Sequence, residues 1–300
     1  MAGNPSTLIV LGSSPDSYFV GHGRRHFIEN MPEGFTNHAK TEMNISMTVW
    51  ISMSPTMENW VCHNVATGKF HFNGNINQDI RDHLSGANGK AAADFVAFPD
   101  CPDATNFFVK GKNIGSWNAV LPDPIIQKLL ASKREVGANF DAALTGMLFG
   151  KGKTHILLFK AGFLADLDDD DVTGVEHPLY KVLSEYKDGW CIERGSTLCF
   201  YDSQYFFLKF KQPGSTQVKM HWNLPPHIAE KLNELRELAK QPEEQIALMQ
   251  EDQMWMQVAQ MRINSEMQMN TMLCDTIRRG GLGILAAASG GTIVETTRYY

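Results

Sequence analysis

Five times between residues 7 and 232 the chain runs through one order of segments. An extended apolar run is followed by a turn, an apolar anchor pair, a second turn, another extended run and a short piece with apolar residues at helical spacing. The anchors are Tyr18-Phe19, Trp60-Val61, Phe107-Phe108, Leu157-Leu158 and Phe206-Phe207, at successive intervals of 42, 47, 50 and 49 residues. The runs before them are Leu8–Leu11, Thr48–Ile51, Asp94–Phe98, Phe140–Leu144 and Trp190–Ile192. Turn chemistry separates several of these from their anchors, as in Ser14-Pro15-Asp16, Ser54-Pro55-Thr56 and Cys101-Pro102-Asp103. The runs after the anchors are Arg25–Glu29, Lys69–Phe72, Gly115–Val120, Gly162–Leu167 and Gln217–Asn223; Lys69-Phe70-His71-Phe72 alternates with the period of a half-buried strand. The helical pieces are Ile80–Leu84, Ile125–Leu129, Leu179–Leu183 and Ile228–Leu232, with only Met31–Phe35 in the first repeat. Pro124 and Pro178 stand at the helix start that proline favours.

One such unit cannot bury both faces of its sheet. Several units stacked around an axis cover one another and leave only short edges. A β-sandwich also separates strands by turns, but it gives no reason for the same order five times. The repeat therefore predicts a mainly β chain: a β-propeller of about five blades over residues 7–232, then a C-terminal α-helical segment.

The fourth repeat contains Phe140-Asp141-Ala142-Ala143-Leu144, then Thr154-His155-Ile156-Leu157-Leu158-Phe159-Lys160-Ala161-Gly162-Phe163, then Asp166-Leu167-Asp168, and it closes on His177-Pro178-Leu179. This resembles a hemopexin-like repeat, with its Asp-Ala-Ala inner strand, its second strand ending in Lys-Gly and a proline before its short helix. Asp94 and Phe107-Phe108-Val109-Lys110-Gly111 repeat part of the pattern, while the first, second and fifth repeats match it in outline. The resemblance implies a propeller whose inner strands line a central channel. Hemopexin-like domains normally have four blades; the period alone is equally compatible with five-bladed lectin-type propellers.

From Pro225-Pro226 the chain changes character. No Gly or Pro occurs from Glu243 to Ile277, and seven methionines fall between Met249 and Met272. Met249, Met256, Ile263, Asn270 and Ile277 recur every seven residues, with Met267 on the adjoining stripe. That spacing predicts a helix ending near Arg278-Arg279 and pairing with the same helix of another chain, which makes the protein a homo-oligomer. Residues 1–6 are expected to form a short tail, 233–279 the association segment and 280–300 a Gly/Ala-rich tail. As a helix, the apolar stretch of that tail from Leu282 to Val294 would span about 20 Å, short of the roughly 30 Å hydrocarbon core, so membrane contact through the tail is an alternative without a membrane pass.

A net charge of −6 lacks the basic excess of a nucleic-acid binder. Five widely spaced cysteines contain no Cys-x-x-Cys pair, so neither a zinc knuckle nor a disulfide framework is implied. The only early apolar run, Leu8–Leu11, is too short for a secretion signal, and the chain is expected in the cytoplasm. Gly152-Lys153-Thr154 lacks the first glycine of a phosphate loop and precedes a strand-like run. The acidic run of Asp166 and Asp168 to Asp171 lacks the glycine and glutamate of a calcium loop. His22 and His26 flank a glycine turn rather than sharing a helix face.

No cofactor is assigned by any motif. The expected function is that of a non-enzymatic propeller binding a small ligand or a protein partner. Asp94, Asp141 and Glu193, each from the first strand of its repeat, are the candidate ligand-binding groups at the channel mouth. Met249, Met256, Ile263, Met267 and Ile277 are the candidate oligomer interface. Two alternatives are kept: a membrane-active or self-assembling protein whose tail is the effector, and an enzyme with its site in the channel.

Overall fold

The computed structural model describes residues 6–168 and 177–287, with backbone alone at 270 and from 272 onward. The chain is mainly β, in five small antiparallel sheets, with helices between them and at the C-terminus. The first sheet is β1 (Thr7–Leu11), β2 (Tyr18–His22) and β3 (Arg25–Glu29); the second is β4 (Thr48–Met53), β5 (Trp60–Asn64) and β6 (Lys69–Phe72). The third is β7 (Ala93–Ala97), β8 (Phe107–Gly111) and β9 (Trp117–Val120); the fourth is β10 (Leu144–Phe149), β11 (His155–Phe159) and β12 (Gly162–Asp166). The fifth comprises β13 (Cys191–Ile192), β14 (Thr197–Leu198), β15 (Phe206–Lys211) and β16 (Val218–Asn223).

In the fifth sheet β16 pairs along the whole of one edge of β15. β13 and β14 pair with opposite ends of β15, Cys191 facing Lys211 and Leu198 facing Phe206. They are two halves of one first strand, interrupted at 193–196. At the break Gly195 lies against the Val49 carbonyl oxygen, which a Cβ there would approach to 2.8 Å. The first strands of the second, third and fourth sheets each carry a register shift at the same place, between 48 and 50, 93 and 95, and 144 and 146. A shared irregularity of this kind marks the units as structural copies.

The anchors explain why these units hold together. Phe19, Val61, Phe108, Leu158 and Phe207 fall one each in β2, β5, β8, β11 and β15, and all five are 0% exposed. A middle strand is covered by strands on both edges and by packing on both faces, so it takes apolar residues at consecutive positions, whereas β3, β6 and β9 are only partly buried. Lys110 is buried beside these residues because its Nζ donates to the carbonyls of Gly111, Asn113 and Ser116 at 2.9, 3.1 and 2.9 Å, closing the β8–β9 turn. That is the physical use of a lysine before a glycine at the end of a second strand.

Five helices close the units: α1 (Glu33–Thr41), α2 (Gln78–Ser85), α3 (Asp123–Val136, then the single turn α4 at Phe140–Ala143), α5 (Pro178–Glu185) and α6 (Pro226–Leu238). Each reaches the sheet that follows it. Phe35 of α1 stands edge-on to Trp60 of β5 at 5.4 Å, and α2 packs on β7 and β8. Lys128 of α3 pairs with Asp166 of β12 at 3.0 Å, and α5 packs on β16. α6, after the last sheet, packs on β2 and β3 of the first. The first strands neighbour one another in the order β1, β4, β7, β10, β14 and β1 again. One buried cluster joins Ile9 and Val20 to Cys199, Phe207 and Ile228, bridging the first and fifth sheets.

Three segments differ from the sequence expectation. Phe140–Ala143 was expected as an extended first strand; it is helical, and β10 begins only at Leu144. Ala142 and Ala143 favour helix, and Asp141 is held there by ion pairing. The closing helix of the first unit runs well past Phe35, to Thr41, because its buried face is completed by His38 and Ala39 rather than by large aliphatic residues. Finally, α7 (Pro242–Ala287) continues through Gly280-Gly281 instead of ending at Arg279. The chain divides into two compact units, Met1–Asp252 and Gln253–Tyr300, with the division inside α7. Within the first unit, Glu251 of α7 takes Arg24 at 2.5 Å, and Glu244 pairs with Arg25.

Candidate functional site

Where the first strands meet, a cavity of about 40 Å³ is lined from all five sheets, by Leu11, Met53, Phe95, Met147 and Leu198 among others. It has room for about one water molecule and none for a substrate. Arg194 reaches this region from the break in the fifth sheet. Its guanidinium donates to the carbonyls of Thr145 at 2.9 Å and Asp94 at 3.3 Å, and it pairs with the Asp94 carboxylate at 2.7 Å.

Each of the three expected ligand-binding carboxylates therefore has its own cation. Asp94, in β7, is held by Arg194. Glu193 lies in the break between β13 and β14, 3.7 Å from Lys211 Nζ. Asp141 is not on a first strand: from α4 it accepts the Trp117 indole N–H at 2.7 Å and pairs with Lys133 at 2.8 Å, which holds its carboxyl below the usual range. It fastens the third sheet to the start of the fourth. Among the described residues these three are not a group with ligand atoms close enough to share an ion.

The group that does meet that condition is His38, Glu42 and His71, whose ligand-capable atoms all lie within 4.8 Å of one another. Sequence reading singled out none of them. His38 sits on the buried face of α1, stacked on Trp60 at 5.8 Å between ring centroids. One helical turn later Glu42 caps α1, and its Oε2 lies 3.4 Å from His38 Nδ1. His71 comes from β6, and its ring stacks on His38 at 4.2 Å with Nδ1 3.5 Å from the same Oε2. Behind them, on β5, is Cys62, which faces His71 across the β5–β6 ladder and lies 3.4 Å from His38 Nε2 through Sγ. Burial pushes the Cys62 thiol up to about 12, so it is a neutral thiol at neutral pH. Burial also lowers both imidazoles, and for His38 the neighbouring His71 adds to the effect.

The group lines one wall of an open cleft of about 960 Å³ between the first and second sheets. Trp60 and Met57 supply apolar surface there, and Asn30, Asn59, Asn73 and Asn75 supply amides. Much of that polarity is already engaged: Asn73 Oδ1 accepts the Trp60 N–H at 3.0 Å, and Asn59 donates to the Ala104 carbonyl at 3.3 Å.

The acidic run is also engaged in structure. Asp166 pairs with Lys128, and Asp168 accepts the Lys153 N–H at 3.0 Å; Asp169, Asp170 and Asp171 lie outside the described residues. On the association segment, Met249, Met256, Ile263 and Met267 are all exposed, while the side chain of Ile277 lies outside what is described. Met254, Met261 and Met269, which face other ways around the helix, are exposed as well, as is Ile246, three heptads before Met267. No protein-family model matches the chain, and no curated protein matches it.

Proposed function

We propose that residues 7–232 form a five-bladed β-propeller that acts by binding, and that the protein assembles with further copies of itself through α7. The order of first strands returning to β1, the packing of each closing helix on the next sheet and the cluster between first and last sheets support the propeller. The small size of the cavity where the first strands meet, with Arg194 in its wall held by the Thr145 and Asp94 carbonyls, favours function on outer surfaces over an enzyme with its site in the channel.

The association reading is carried by one observation: eight apolar side chains between Ile246 and Met269 are each at least 43% exposed. A helix apolar on several sides needs cover on more than one side. This favours a bundle of three or more helices over a two-stranded seam, and methionine suits it because the side chain adapts to irregular neighbours. No helix among the described residues is long and apolar enough to cross a membrane. Residues 288–300 of the expected Gly/Ala-rich tail, the proposed effector of the membrane alternative, lie outside the described residues.

Light scattering on the full chain and on a chain ending at Gln241 tests this. The full chain is expected at three or more times the monomer mass and the shortened chain at the monomer mass. Two monomers would overturn the association reading.

A further inference from the structure

We infer that His38, Glu42 and His71 form a binding site for one divalent transition-metal ion of the zinc class. The inference stands apart from the propeller and association readings, because it uses only α1, β5 and β6. Two imidazoles and a carboxylate are a ligand set that zinc accepts, with ligand–metal distances of about 2.0–2.2 Å. A tetrahedral ion at those distances sets its ligand atoms about 3.3–3.5 Å apart. The Glu42 oxygen stands at 3.4 Å from His38 Nδ1 and at 3.5 Å from His71 Nδ1. These two spacings match those of atoms sharing an ion, and the ligand atoms of all three residues lie within 4.8 Å of one another.

Three further features point the same way. Glu42 follows the last turn of α1, where the negative end of the helix disfavours a carboxylate and favours a cation. A positive ion there reverses an unfavourable placement. His38 is oriented from behind: its Nε2 lies 3.4 Å from Cys62 Sγ, so Nδ1 is the ring nitrogen that faces Glu42. An outer partner that orients the ring of a ligating histidine is the usual support of a metal site. Entry is open, since Glu42 is 62% exposed at the cleft rim and His71 is half-buried. The two rings lie nearly parallel, 26° apart, so His71 turns about its side-chain torsions to bring its lone pair onto the ion, while His38 keeps its place on Trp60. Three protein ligands leave a position facing the cleft for water or an incoming donor.

The test uses the full chain freed of metal with a chelator, titrated with Zn²⁺ by calorimetry and with Co²⁺ by visible absorption. One equivalent is expected to bind, and Co²⁺ is expected to give the intense visible bands of a four-coordinate site. Glu42→Gln and His71→Gln change exposed or half-buried side chains and should leave the fold intact, which an unfolding curve verifies. Each is expected to weaken binding by more than about tenfold. His227→Gln, on α6, is expected to leave it unchanged. The assignment is overturned if the full chain binds neither ion, or if both site variants bind as tightly as the parent, which would place the ion on other histidines.

Discussion

Replacing Phe108 by alanine is expected to destabilise the protein by about 3–5 kcal/mol, the usual cost of truncating a fully buried aromatic. Phe108 sits in the middle strand of the third sheet, between Ala97 of β7 and Ala119 of β9, with its ring stacked at 6.3 Å on Trp117. Its neighbours are strands fixed by their own hydrogen bonds, so they have little freedom to close the cavity. The same reasoning extends to Phe19 and Phe207, with smaller losses at Leu158 and the least at Val61, where less volume is removed. Urea unfolding reads the effect as a lower midpoint at unchanged slope. Val120→Ala, on the exposed edge of β9, serves as the comparison and is expected to change stability by less than about 0.5 kcal/mol. Equal effects at the two positions would show that the anchors are not the centre of their units.

The second large effect concerns acid. His22 ends β2, almost wholly buried, with Nδ1 2.8 Å from the Thr7 hydroxyl on the paired strand. Burial, helped by the positive charges of Arg236 and Lys209, pushes its pKa down to about 4. In the unfolded chain the imidazole takes its proton near pH 6.5. Between those values the unfolded state binds a proton that the native state does not, so stability falls as pH drops below about 6.5 and the loss is complete below about 4. The shift is worth about 3 kcal/mol. His22→Gln keeps a hydrogen-bonding side chain without the charge. It is expected to lose that much less stability than the parent between pH 7.5 and pH 4. An identical loss in both proteins would remove His22 from the acid response. His26, His38, His71 and His155 are lowered in the same direction, so the parent should remain acid-sensitive beyond this one residue.

The repeat made the five units legible, because a middle strand buried on all sides must be apolar at consecutive positions. Phe107-Phe108 and Phe206-Phe207 announce that in any context. The closing helices were legible where proline opened them, at Pro124 and Pro178. First strands were harder to place. β10 contains Gly146, which reads as a break, but in the fold it allows Phe95 to approach, its ring atoms lying 3.1 Å from where a Cβ would sit. The fifth first strand is split around Gly195 for a comparable reason. The histidine group is not legible in the sequence because its members lie 29 residues or more apart, apart from one helical pair. His38 and Glu42 become neighbours only if α1 is known to extend past Phe35, and His71 joins them only through the pairing of β6 with β5. Asp141 lies off the first strand that the repeat predicts because two alanines after an aspartate also suit a helical turn.

The claim on which the architecture rests is that the first and last sheets pack against each other. A double-mutant cycle tests it through Val20 on β2 and Phe207 on β15, both fully buried and both in the cluster that joins those sheets. The substitutions are Val20→Ala and Phe207→Leu, singly and together, with stability read from urea unfolding. Val20→Ala with Phe108→Leu is the reference pair, since Phe108 belongs to a different cluster. The account predicts a coupling of about 0.5 kcal/mol or more between Val20 and Phe207, and additivity within about 0.5 kcal/mol for the reference pair. If Val20 couples to Phe207 no more strongly than to Phe108, the two ends of the chain do not meet and the ring of five sheets is contradicted.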